Sequence, residues 1–97
     1  MNENIKSEQM DALCKALVAL RTEEEAERFL DDLCTISELL EFSKRLEVAR
    51  LLREGVTYSE ICSRTGLSTA TITRVNRCLK YGSGGYKVVL DRLEEEQ

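Results

Sequence analysis

The chain contains no proline, and aromatic residues make up only 5% of its 97 positions. A β-sandwich or barrel of this size would need more aromatic and β-branched residues. Abundant Ala, Leu, Glu and Arg instead suit helices, so the expected fold is all-α, a single domain over residues 1–97 with about six short helices. There is no histidine. The four cysteines, Cys14, Cys34, Cys62 and Cys78, form no C-x-x-C pair, so no metal site is expected. Each falls in a segment read as helical, and Cys14, Cys34 and Cys62 read as small buried hydrophobes. The glycine-dense stretch Gly82-Ser83-Gly84-Gly85 precedes a weak helix instead of following a strand. That is the wrong context for a phosphate-binding loop, and no enzyme is expected. The start, Met1 to Ser7, lacks the apolar core of a signal peptide, and no apolar run approaches the ~20 residues that span a bilayer. A cytoplasmic protein with reduced thiols and no membrane partner follows as the expectation.

Acidic residues are missing from one place where they matter. The chain as a whole carries a net charge of −4, with 33% charged residues. Between Ile61 and Lys80, however, the only charges are Arg64, Arg74, Arg77 and Lys80. That stretch is +4, leaving −8 for the remainder of the −4 total. Screening confines each charge to a reach of about 10 Å in ordinary salt, so a basic patch on an acidic body can still engage phosphates.

Apolar spacing and capping patterns divide the chain into helices. Met10, Leu13, Cys14, Leu17 and Leu20 place one apolar face on a first helix. Thr22–Glu25, Thr35–Glu38 and Thr57–Glu60 are T-x-x-E patterns, in which threonine and glutamate satisfy each other's free N–H groups at a helix start. The helix after Thr22 carries Ala26, Phe29, Leu30 and Leu33 on one stripe. The helix after Thr35 carries Leu39, Leu40, Phe42, Leu46, Ala49 and Leu52, and Gly55 ends it as a left-handed residue. Tyr86, Val89, Leu90 and Leu93 mark a last short helix, and the tail Glu94 to Gln97 reads as a solvated end. These stripes exceed what a compact monomer of this length covers, which favours a dimer whose chains complete each other's core.

The segment from Tyr58 to Lys80 reads as a helix-turn-helix. Two helices that cross steeply need an abrupt stop, and Gly66 supplies the positive-φ residue for it. Leu67 plugs the turn, and Ser68 caps the second helix. Inward positions are apolar, with Ile61 on the first helix and Ile72 and Val75 on the second; Cys62 is small enough for a close crossing. The second helix then exposes Thr69, Ala70, Thr73, Arg74 and Arg77. Slim Thr and Ala side chains suit base edges and thymine methyls in a major groove. Ser59, Arg64, Thr71, Arg77 and Lys80 suit phosphates, which position a protein without reading sequence. Ser68 sits at the same end. The partner implied is double-stranded DNA.

The string Ala70-Thr71-Ile72-Thr73-Arg74, followed by Asn76 and Leu79-Lys80, resembles the Trp repressor superfamily. The likeness runs from about residue 35 to 93, through Thr35, Glu38, Arg45, Leu51-Leu52-Arg53, Gly55, Thr57, Leu90 and Leu93. The strings Asp31-Asp32-Leu33-Cys34-Thr35-Ile36 and Arg45-Leu46-Glu47-Val48-Ala49-Arg50 are similar to the YerC/YecD-like branch, as is Arg77-Cys78-Leu79. The resemblance implies an intertwined, six-helix homodimer with a reading head on each side, acting as a transcriptional regulator, a repressor. It also implies an effector pocket at Thr35, Arg45, Arg74, Val75 and Cys78. In the repressor the residue after the second arginine is glycine, which leaves room for an indole. Here it is Val75, at a steric cost of about 1–3 kcal/mol, and Cys78 stands in place of a serine that contacts the ligand's amino group. Tryptophan is therefore not the expected effector. Arg45 and Arg74 have acidic side chains, phosphate or another small carboxylate as alternatives, and no cofactor is expected. The rival functional reading is a protein-interaction module that reuses the helix-turn-helix and docks a basic partner on the acidic first half.

Overall fold

Side-chain N-caps open the first five α-helices of the computed structural model, which describes residues 1–96. After a 3₁₀ turn at Glu3–Ile5 come six α-helices among the described residues. They are α1 (Glu8–Ala19), α2 (Glu23–Leu33), α3 (Ile36–Arg53), α4 (Tyr58–Thr65), α5 (Thr69–Tyr81) and α6 (Gly85–Glu95). The all-α expectation and the number of helices hold. Ser7 caps α1 by accepting the Met10 N–H at 3.0 Å, an N-cap the spacing of apolar residues did not show. Helix α6 runs through Glu95, so the tail from Glu94 is solvated as expected but helical through Glu95; Gln97 of that tail lies outside the described residues.

The chain divides into two compact units, one ending at Leu39 and one beginning at Leu40. The first holds α1, α2 and the first turn of α3. No residue in α1 or α2 is buried. Met10, Leu13, Phe29 and Leu30 are half-buried, while Val18 and Ile36 are 84% and 79% exposed. Cys14 is exposed, which corrects the expectation of a buried thiol. An apolar stripe is buried only where another layer covers it, and no residue of α1 is fully buried. Cys34 is half-buried but stands outside the helices, as the extended C-cap of α2.

The second unit contains the core. Val48, Ala49 and Leu51 of α3 pack with Ile61 of α4, Ile72 and Val75 of α5, and Leu90 of α6. Each of the Val, Leu and Ile side chains contributes about 1.5–3 kcal/mol when fully removed from water. The single stripe assigned to α3 was incomplete. Val48 and Leu51 face the core, whereas Leu40, Phe42 and Leu46 are exposed. Helix α3 is apolar on two sides, and only one of them meets α4 to α6.

Gly55 ends α3 with φ +83°, as expected. Its N–H donates to the Leu52 carbonyl and the Val56 N–H to the Leu51 carbonyl, each at 3.1 Å. This is the nested pair of bonds that closes a helix on a left-handed glycine, with Val56 packed against the core. At the other edge Arg53 reaches Asp91 at 2.8 Å and Glu94 at 3.3 Å, tying α3 to α6. No helix among the described residues is long and apolar enough to cross a membrane.

Candidate nucleic-acid interface

Helices α4 and α5 meet through the turn Gly66-Leu67-Ser68. Gly66 adopts φ +72° and its N–H donates to the Cys62 carbonyl at 2.9 Å, so α4 stops within one residue. Leu67 packs against the core, and its N–H donates to Thr65 Oγ1 at 3.2 Å. Ser68 accepts the Thr71 N–H at 3.2 Å and so caps α5. Cys62 Sγ lies 3.8 Å from Thr69 Oγ1, a close approach of the two helices that a larger residue at 62 would prevent. The helix-turn-helix is built as its sequence indicates.

Burying Ile72 and Val75 fixes which side of α5 faces outward. Thr69, Ala70, Thr73, Arg74, Arg77 and Lys80 are exposed, as is Tyr81. Ala70, Thr73, Arg74 and Arg77 follow three- and four-residue steps and form one stripe. Arg74, Arg77 and Lys80 make no ion pair among the described residues. Arg64 differs: its Nε and Nη2 donate to Glu60 Oε1 at 3.2 and 2.9 Å. Ser59 is exposed on α4. Thr71 is only half-buried, with its hydroxyl 3.1 Å from Ser68 Oγ, so it faces partly inward.

That inward side opens on a pocket of about 200 Å³, which brings together Arg45, Arg74, Val75 and Cys78 with Thr71. Two residues that sequence reasoning missed complete its lining, Glu41 and Tyr86. Glu41 accepts a hydrogen bond from Arg45 Nε at 3.2 Å, and the Arg45 guanidinium lies 6.0 Å from the Phe42 ring centre. The i, i+4 spacing of Glu41 and Arg45 was the available signal. Nothing local in the sequence signals Tyr86, which reaches the pocket because α6 folds back on α5. Burial raises the Tyr86 phenol above its ordinary value, with Cys78 adding to the rise and Arg45 and Arg74 opposing it. The phenol therefore stays protonated at neutral pH and can donate as well as accept. Thr35 lies in the first unit, where its hydroxyl caps α3 by accepting the Glu38 N–H at 3.1 Å.

A family model described as Trp repressor protein matches residues 8–94. The uncharacterized protein YerC of Bacillus subtilis (strain 168) is 48% identical over 95 residues, covering 98% of this chain and 91% of that protein. Among solved structures, a TrpR-like protein from Eubacterium eligens ATCC 27750 is similar with a TM-score of 0.90 and 47% identity, covering 96% of each chain. A Trp repressor candidate from Staphylococcus aureus is similar with a TM-score of 0.89 and 41% identity, covering 95% of this chain and 92% of that one. The chain belongs to the Trp repressor family, in its YerC-like branch.

Proposed function

We propose that the protein is a sequence-specific double-stranded DNA-binding regulator of transcription, a repressor, that works in the cytoplasm as a homodimer and does not respond to tryptophan. The observation that carries this reading is the exposed, acid-free stripe of α5. Thr69, Ala70 and Thr73 offer a slim surface at its N-terminal half, and Arg74, Arg77 and Lys80 are exposed with no ion pair among the described residues. A helix of this kind suits a major groove, with small polar side chains against base edges and cations against phosphates.

The dimer rests on what the single chain leaves uncovered. No residue of α1 or α2 is fully buried, and Ile36, Leu40, Phe42 and Leu46 of α3 stay exposed. Beside α5, Leu46, Cys78, Gly82, Tyr86 and Val89 line a mostly apolar groove of about 560 Å³. Apolar surface of this extent belongs at an interface. Two copies related by a two-fold axis would present two reading heads to sites about 34–36 Å apart on one face of the duplex.

Against tryptophan stand two features. Val75 is 3% exposed and is part of the core, so it does not move aside cheaply. Glu41 already occupies Arg45 Nε. The test of the reading is selection of bound duplexes from random DNA, followed by two substitutions. Arg77→Ala should weaken all duplexes about equally, and Thr73→Ala should alter which sequences are preferred. If neither substitution changes binding, α5 is not the reading helix. Binding that ignores salt would favour a protein-interaction module instead.

A further inference from the structure

The three T-x-x-E starts are not built alike. In α3 the box is complete: Thr35 Oγ1 accepts the Glu38 N–H at 3.1 Å, and Glu38 Oε1 accepts the Thr35 N–H at 2.8 Å. In α2 the Glu25 carboxylate also turns back to the helix start, taking the Arg21 N–H at 3.0 Å. In α4 only half the box forms. Thr57 Oγ1 accepts the Glu60 N–H at 3.3 Å, but the Glu60 carboxylate is turned the other way, onto Arg64. The Thr57 N–H donates to no protein group among the described residues. Glu60 thus has two sets of donors within reach. The complete box at Glu38 shows that a glutamate in this position can make the return bond.

Resting on the DNA-binding reading above, we infer that Glu60 is a positioning residue that holds Arg64 in the free protein and yields it to a DNA phosphate. Glu60 then turns back onto the Thr57 N–H, so that no group is left without a partner. The exchange is inexpensive because both states keep the carboxylate hydrogen-bonded. An exposed i, i+4 pair is also easily opened, since such pairs stabilise a helix only slightly. In the free protein the same pair keeps one cation of the reading head from binding anions at random.

The test follows hydrogen exchange at the Thr57 amide by NMR in the full chain, with the Thr35 amide as the fully capped standard. In free Arg64→Ala protein, Thr57 exchange should slow about two- to fivefold relative to wild type, the factor that corresponds to completing a cap. In wild-type protein bound to a mixed-sequence duplex at low salt it should slow likewise, and in duplex-bound Glu60→Ala protein it should not. Glu60→Gln should tighten binding of that duplex by about twofold per reading head when Arg64 is present, and not when Arg64 is replaced by Ala. Unchanged Thr57 exchange in Arg64→Ala, or an equal gain from Glu60→Gln in both backgrounds, overturns the role given to Glu60. Failure of wild-type protein to bind the duplex overturns the DNA-binding reading itself.

Discussion

Gly82 caps the end of α5 and Gly85, three residues on, opens α6, and replacing each with alanine should affect stability differently. Gly82 has φ −84°, within reach of any residue, but a Cβ there would lie 2.5 Å from the Cys78 carbonyl oxygen. That oxygen is backbone and cannot rotate away. It also accepts the Gly82 N–H at 2.9 Å, the bond that closes α5. Gly82→Ala must therefore shift the last turn of α5. The overpacking costs about 1–3 kcal/mol, and loss of the closing bond about 1 kcal/mol more. At Gly85, by contrast, a Cβ meets nothing within 4 Å, and the residue is the first of α6. Alanine there should be neutral or stabilise by about 0.4–1 kcal/mol, by restricting the unfolded chain. Urea melts of both variants at one fixed protein concentration decide the matter, since the midpoint of the proposed dimer would depend on concentration. The reasoning is refuted if Gly82→Ala costs no more than Gly85→Ala.

Three further outcomes are expected. Leu51 is fully buried where α3 meets the core, so Leu51→Ala should cost about 2–5 kcal/mol in the same melts; a loss below 1 kcal/mol, on the order expected for a surface site, would contradict the core assignment. Asp91 has its pKa lowered by hydrogen bonds from Lys87 and Arg53. A carboxyl depressed in the folded state adds stability above the ordinary aspartate range and loses it as pH falls through the lowered value. Wild-type protein should therefore lose more stability on acidification than Asp91→Asn, and parallel pH profiles would rule that out. Isothermal titration at millimolar tryptophan should show no saturable heat, whereas one ligand bound per chain would reinstate tryptophan as effector.

Much of the second unit was legible because its rules are local. Gly55, Gly66 and Ser68 act through their own backbone and nearest neighbours, and they end or start helices where the sequence indicates. Ile61, Ile72 and Val75 are buried because their spacing leaves them one common side. What escaped reading depends on choices made in space. Helix α3 has apolar residues on two sides, so Val48 and Leu51 could not be told from Leu40 and Leu46 by periodicity alone. Tyr86 enters the pocket through the return of α6. Thr57-x-x-Glu60 promised a full capping box, and an arginine four residues on competed for the same carboxylate. Cys14 shares the apolar stripe of α1, yet it is exposed, because a stripe is covered only when another layer is present.

The central proposal, that α5 reads duplex DNA from an exposed cationic stripe, is tested most directly by measuring affinity for a selected duplex across a series of salt concentrations. Two heads with three or four phosphate-contacting cations each should give a slope of log affinity against log salt of about −5 to −7. Arg77→Ala should reduce that slope by about 1 for each head engaged. A slope near zero, or one unchanged by Arg77→Ala, would contradict the account.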